Sequence, residues 1–234
     1  MNINKIALDY LEKNKLMHID MIEPIRRNTS NILYADKNGV LIYEKNSESY
    51  MLTTDNIDLA KRLIESLHKK PLFVIHQKEL FSIIKEKFGY INYFECKQSA
   101  YLSDIPPKLS ETIEIRQLEN KDKDIVRNNY KSMDEDFDYT SYLIDKKQMW
   151  GAFDQNTLMG FIGIHSEGSM GLLAVLPEYR NKGVAMALQN YLINYILKKD
   201  WIPFGQVFID NEKSLNLQKK LGLEISKESV FWLY

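Results

Sequence analysis

Residues 170–199, "MGLLAVLPEYRNKGVAMALQNYLINYILKK", constrain the fold of this 234-residue chain more than any other stretch. The run "MGLLAVL" is continuously apolar, the signature of a strand covered on both faces. Pro177 ends it. From Gly183 onward apolar residues recur at helical spacing, and Lys198 and Lys199 suit a helix C-terminus. Another strand, "FGQVFID", follows. Between strand and helix stand Arg180, Lys182 and Gly183. Turn punctuation alone would account for a proline, two exposed charges and a glycine. The chemical alternative is an anion cradle. A helix N-terminus presents about four unpaired N–H groups and the positive end of its dipole, and both favour phosphate. A glycine there admits a ligand close to the backbone, and two cations add formal charge.

The rest of the C-terminal half reads as strand "TIEIRQL", helices in "KDKDIVRNNYKSM" and "YTSYLIDKKQ", and a hairpin across Asp154–Thr157. After "FGQVFID", Asn211 caps a helix that Gly222 ends, and "LEISKESVFWLY" supplies one or two strands. The order is β-α-α-β-β-β-α-β-α-β. "SDIPPKLSET", residues 103–112, interrupts the patterning on both sides and divides the chain into 1–110 and 111–234.

The N-terminal half echoes the C-terminal one. "FVIHQKELFSIIKEKFGYINYFECKQSAYL" resembles "VFIDNEKSLNLQKKLGLEISKESVFWLY", with Lys87-Phe88-Gly89-Tyr90 falling on Lys220-Leu221-Gly222-Leu223. The constant offset favours an internal duplication over coincidence between two helix–Gly–strand tails. Upstream, the corresponding strand passes to its helix through Thr53-Thr54-Asp55-Asn56, a capping sequence with acidic character. Only the second half keeps a cradle.

With Val175, Pro177, Arg180, Gly183 and Ala185 in order, and Asn211, Ser214 and "KLGL" (Lys220–Leu223) downstream, the chain over roughly 111–234 resembles the GNAT N-acetyltransferase superfamily. "WIPFGQV" and the closing "VFWLY" are similar to the branch that includes glycine N-acyltransferases. The resemblance implies an α/β (α+β) fold with a mixed, mostly antiparallel central sheet flanked by helices, here as two pseudo-repeated domains, the first degenerate. It implies acetyl-CoA as cosubstrate and a small-molecule primary amine or amino acid as acceptor. Backbone near Leu173, Ala174 and Val175 would pair with the pantetheine arm. The N–H groups of Arg180, Asn181, Lys182, Gly183, Val184 and Ala185 would hold the pyrophosphate. Asn211 and Ser214 would lie near the other side of the arm.

Acyl transfer to an amine needs a neutral nucleophile. An amine of pKa about 10 is roughly 0.1% neutral at pH 7, a deficit of about 4 kcal/mol. A general base recovers part of it. His165 and Glu167 in "IHSEGSMG" stand just before the donor strand and are the candidates; a turn residue and a strand-end surface residue are their plainer readings. The family's usual acid tyrosine is replaced by Gln218, which can donate a hydrogen bond but not act as an acid. The acid is left to Tyr191, Tyr234 or water. This departure keeps a non-catalytic CoA-binding sensor open as an alternative, as well as acetylation of a protein N-terminus.

Other signals exclude more than they propose. Net charge is −1, from 31 basic and 32 acidic residues, which gives no reason to expect nucleic acid or a membrane surface as partner. One cysteine, Cys96, rules out an internal disulfide framework and fits a reducing cytoplasm. The charged N-terminus lacks a signal-peptide core. The acidic stretch Met133–Thr140 could attract a cationic amine, though a solvated capping loop explains it better. Its Asp spacing is that of a calcium loop, but Tyr139 stands where glycine is required. His18, His68, His76 and His165 are scattered without zinc spacing, so no metal is expected. Cys96 is expected buried and inert, and Trp150, Trp201 and Trp232 in the core. Either a monomer or a homodimer is compatible with these features.

Overall fold

The computed structural model describes residues 2–68, 72–130 and 138–234. The chain forms two compact units, one of Met1–Ala100, Gln206–Lys219 and Leu223–Tyr234, the other of Tyr101–Gly205 and Lys220–Gly222.

The first unit opens with helices α1 (Ile3–Leu11) and α2 (Ile19–Arg26), then strands β1 (Ser30–Asp36), β2 (Gly39–Glu44) and β3 (Ser49–Thr54). Helix α3 (Ile57–Glu65) leads to β4 (Leu72–Ile75), and helix α4 (Phe81–Phe88) to β5 (Tyr93–Ala100). Period-two alternation sends Leu41, Leu52, Phe73 and Ile75 to a core under α3 and α4. It sends Val40, Ile42, Met51 and Val74 to a second core under α1 and α2. The sheet is therefore covered on both faces.

The second unit contains β6 (Glu114–Gln117), α5 (Lys123–Asn129), α6 (Tyr139–Asp145), β7 (Met149–Asp154), β8 (Thr157–Ile164), β9 (Met170–Val175) and α7 (Val184–Leu197). Strand β10 (Phe204–Phe208) begins in it, and α8 (Glu212–Lys220), β11 (Glu224–Ile225) and β12 (Val230–Leu233) complete the chain. Strands β6 to β9 form an antiparallel run. Gly205 pairs in parallel with Met170. Phe161, Leu143, Val126 and Leu172 fill the core beneath α5 and α6, and Trp150 packs 4.7 Å from Tyr195 of α7.

The element order of the C-terminal half is the one its sequence predicts, and each unit carries a mixed, mostly antiparallel sheet flanked by helices. Packing does not follow the division at residue 110. Strand β12 inserts between β4 and β5, antiparallel to both, so the last segments join the first unit. Trp150 is buried as expected, whereas Trp201 and Trp232 are only partly so. Cys96 is buried in β5, and burial pushes its thiol up to about 12, which makes it inert.

Candidate active site

Strand β9 differs from its expectation in an informative way. Its continuous apolar run predicts burial on both faces, but only Met170 and Leu172 are buried; Leu173, Ala174 and Val175 are half-exposed. The cause is local. Parallel pairing with β10 consists of the single pair Met170 and Gly205. Beyond it, the edge of β9 from Gly171 to Val175 has no strand partner among the described residues. The other edge carries a bulge: Phe161 faces Ala174 and Gly163 faces Gly171, so Ile162 of β8 opposes both Leu172 and Leu173 of β9. Leu172 takes the strain, at φ 55 in the left-handed region, where an L-residue costs roughly 1–2 kcal/mol. A kinked strand with an open, half-apolar edge can accept backbone-type hydrogen bonds from an extended ligand. The residues expected for this role, Leu173, Ala174 and Val175, lie on that edge.

The strand runs into the cradle. Pro177–Tyr179 form a short 3₁₀ turn, Arg180 is extended, Asn181 is left-handed at φ 62, and Gly183 is left-handed at φ 80 as the N-cap of α7. No side chain caps this helix. Its first backbone bond runs from Ala187 N–H to Gly183 C=O. The N–H groups of Asn181 through Met186 therefore have no partner among the described residues. A Cβ on Gly183 would meet nothing within 4 Å, so the approach to these amides is open. Lys182 lies over the Tyr179 ring, 5.4 Å from its centroid. Arg180 Nε donates to Val175 C=O at 3.3 Å, which places its cation at the point where strand gives way to loop. The predicted cradle residues Arg180, Asn181, Lys182, Gly183, Val184 and Ala185 are thus assembled in one loop. Such a row of free amides beside two cations is an anion site in chemical terms.

At the other end of β9, residues 165–169 form the tight turn from β8. Gly168 N–H donates to His165 C=O at 2.8 Å and His165 N–H to Ser169 C=O at 2.8 Å. Glu167 is buried, with 8% of its surface exposed. Its Oε1 accepts the Ser169 hydroxyl, and among the described residues Oε2 has no partner. The His165 ring lies so close over Gly171 that a Cβ there would fall 2.3 Å from Nε2. Tyr139, from α6, stacks on this ring at 5.8 Å and 17°. Its hydroxyl is 3.3 Å from His165 Nδ1 and accepts the Ser166 N–H at 3.1 Å. Burial, then the Glu167 charge, push the Tyr139 hydroxyl up to about 12. Both predicted base candidates therefore sit at the start of the open edge. Tyr139 and Ser169 carried no sequence signal, because Tyr139 arrives from 26 residues away.

Asn211 caps α8, accepting Ser214 N–H at 3.1 Å, and both belong to the first unit. Gln218 is buried there too, accepting Ser99 Oγ at 3.4 Å. Tyr191 packs beside Trp150 and Tyr234 stacks on Phe94. The acidic stretch at 133–137 lies outside the described residues. Asp138 caps α6, accepting Ser141 N–H at 3.0 Å.

In the first unit the corresponding passage is closed to a cofactor arm. Strands β3 and β4 stay paired from Ser49 and Leu72 to Leu52 and Ile75, and Asn56 caps α3 through Leu59 N–H. A cavity of about 930 Å³ opens above it, lined by Tyr10, His18, Thr53, Asp55 and Gln77 among others. Its floor is already satisfied: His18 Nε2 meets Thr53 Oγ1 at 3.1 Å, Gln77 Nε2 donates to Thr53 Oγ1, and His76 Nε2 meets Asp20 at 2.9 Å. The histidines that look scattered in sequence are thus partly gathered, with His18 and His76 rings 5.3 Å apart. Among the described residues no group of three or more metal-ligating side chains forms. No helix there is long and apolar enough to cross a membrane.

An open strand edge leading to a row of amides at a helix N-terminus suits an extended ligand that ends in an anion. Residues 112–223 match the model of the Acetyltransferase (GNAT) family. Among solved structures, a Drosophila protein aligns over 100% of this chain and 90% of its own, at 16% identity and TM-score 0.64. A GNAT-family protein from Novosphingobium aromaticivorans aligns over 97% and 95%, at 12% identity and TM-score 0.54. A GCN5-related N-acetyltransferase-like protein from Streptococcus suis aligns over 98% and 100%, at 14% identity and TM-score 0.54. At these identities the likeness is one of fold. No curated protein sequence matches the chain.

Proposed function

We propose that the protein is an acetyl-CoA-dependent N-acetyltransferase whose acceptor is the primary amine of a small molecule or amino acid. The observation that carries this reading is the run of unpartnered N–H groups from Asn181 to Met186 at the end of the open β9 edge. A pyrophosphate would be held by those amides with Arg180 and Lys182, and a pantetheine arm would lie along Leu173 to Val175. Glu167 acts as base: a carboxylate with one oxygen held by Ser169 and the other unpartnered takes the amine proton directly or through water. As the amine nitrogen bonds to the acyl carbon, the C–S bond breaks and the electron pair leaves on sulfur. A thiol of pKa about 8.5 leaves without a strong acid, so the substitution of Gln218 for tyrosine is compatible with turnover. The tandem form rests on the echo between the halves, and the glycine N-acyltransferase branch on "WIPFGQV" and the closing "VFWLY". Helices α4 and α8 both run into a left-handed glycine, Gly89 and Gly222. A cytoplasmic location follows from the single, inert cysteine in the same reading.

The test is free-thiol release from acetyl-CoA across a broad panel of amines. Amine-dependent release that drops at least tenfold in Glu167→Ala supports the enzyme. CoA binding without turnover on any amine replaces it with the sensor reading. Turnover confined to peptide N-termini shifts the acceptor to proteins.

A further inference from the structure

We infer that Ser169 is a positioning residue for acyl transfer: its hydroxyl pins Oε1 of Glu167, so that Oε2 alone is presented to the amine. This rests on the acetyltransferase reading above, in which Glu167 is the base. Glu167 is a charge in an unusual place. It lies in the three-residue loop Ser166–Gly168, which two bonds of 2.8 Å close: Gly168 N–H to His165 C=O and His165 N–H to Ser169 C=O. Gly168 is left-handed at φ 98, as such hairpin loops require at their last position. A carboxylate at a hairpin tip ordinarily stands in water. Here Glu167 is only 8% exposed and Ser169 only 3%. Among the described residues no cation pairs with Glu167. Its one donor there is the Ser169 hydroxyl, on Oε1. Taking a carboxylate out of water is costly unless hydrogen bonds replace the water, and Ser169 supplies the replacement. A carboxylate can only accept, so the hydroxyl donates. The backbone of Ser169 is itself held, because its C=O accepts the His165 N–H. The pin is therefore rigid, and a carboxyl group pinned through one oxygen turns the other in a fixed direction.

In the reaction, the amine nitrogen bonds to the acyl carbon and its proton passes to Oε2, directly or through water. The C–S bond breaks with its electron pair on sulfur, and the thiolate takes a proton from solvent. Ser169 keeps its own proton throughout and touches none of the reacting atoms. Its whole effect passes through Glu167.

Ser169→Ala and Ser169→Thr in the full chain test this. The first deletes the hydroxyl and the second keeps it. In acetyl transfer Ser169→Ala is expected to lower kcat roughly tenfold, the factor carried by one hydrogen bond. KM for acetyl-CoA should stay within about twofold, and Ser169→Thr should recover most of the loss. In a Glu167→Ala background Ser169→Ala should add nothing, whereas damage to the loop as a whole would add again. An undiminished second loss there overturns the inference, as does a threonine variant that melts with the wild type yet turns over no faster than the alanine one. A second readout needs no turnover. In the chain labelled with ¹³C at the glutamate carboxyl carbon, the Glu167 signal is assigned by its disappearance in Glu167→Gln. It should move in Ser169→Ala and stay near its wild-type position in Ser169→Thr. A signal unmoved in Ser169→Ala overturns the inference. If no amine is acetylated, the enzyme reading fails while the carboxyl signal still decides whether Ser169 holds Glu167.

Discussion

Replacing Gly183 by Asn and by Asp separates a phosphate site from a helix start that merely resembles one. Gly183 sits at φ 80 with open space where its Cβ would be. Either side chain costs backbone strain of roughly 1 kcal/mol without a clash. For a chain of this length that amounts to a melting shift of about 2–4 °C. Asn and Asp have the same shape and both tolerate left-handed backbone, so the strain cancels between them. What remains is one negative charge. A carboxylate about 5 Å from a single phosphate charge, at an effective dielectric of about 20, is opposed by 332/(20 × 5), roughly 3 kcal/mol. That corresponds to a loss of CoA affinity of about 100-fold in Asp relative to Asn. The same carboxylate at a helix N-terminus favours α7, so Gly183→Asp should melt no lower than Gly183→Asn. Unfolding therefore cannot account for its weaker binding. Calorimetric titration with CoA at low salt, beside thermal melts of both variants, measures each quantity. Raising the salt to 1 M should narrow the gap, because the screening length falls to about 3 Å. Two folded variants binding CoA equally well would refute the cradle.

Four further outcomes follow from named contacts. Burial, with the neighbouring His76 charge, lowers His18 to about 4. Its contribution is thus present above the unfolded value near 6.5 and is lost as pH falls toward 4, by about 3 kcal/mol in urea titrations. A His18→Gln variant should flatten that acid limb; an unchanged limb contradicts the assignment. His76 behaves oppositely: burial opposes its charge, but Asp20 outweighs it and raises the pKa. Its contribution is present below 6.5 and fades as pH rises through the raised value, so His76→Gln should remove a loss of stability on the alkaline side. Asn211→Ala removes the α8 cap and should cost about 1 kcal/mol in urea unfolding; no change would mean the cap is replaced by water. Gly171→Ala forces its Cβ into the His165 ring. It should reduce acetyl transfer while leaving CoA affinity near wild type, and parallel losses in both would place the damage in β9 as a whole.

The histidines show how sequence and structure divide the information. His18, Asp20 and His76 read as isolated residues, yet a shared floor beneath β3 and β4 ties them together. Their spacing in the chain obeys no motif, because contacts between separate elements leave no period behind. The same holds for Tyr139 against His165 and for Ser169 against Glu167. The bulge at Leu172 is still less visible: nothing in "MGLLAVL" marks a residue that will be left-handed, since the strain is imposed by register against β8.

Local chemistry is what the chain states openly. The order of elements in the C-terminal half, the Asn211 cap, the left-handed glycine before α7 and the cluster of cations beside it are all determined by residues within a few positions of one another. Spacing and side-chain type suffice for these. Tertiary structure decided the rest. It inserted β12 between β4 and β5, moving the last segments out of the half that encodes them. It ended the pairing of β9 and β10 at one residue pair, turning an apolar run that reads as fully buried into an open edge. Strand pairing depends on which distant edge arrives first and in what register, and neither is written in the strand itself.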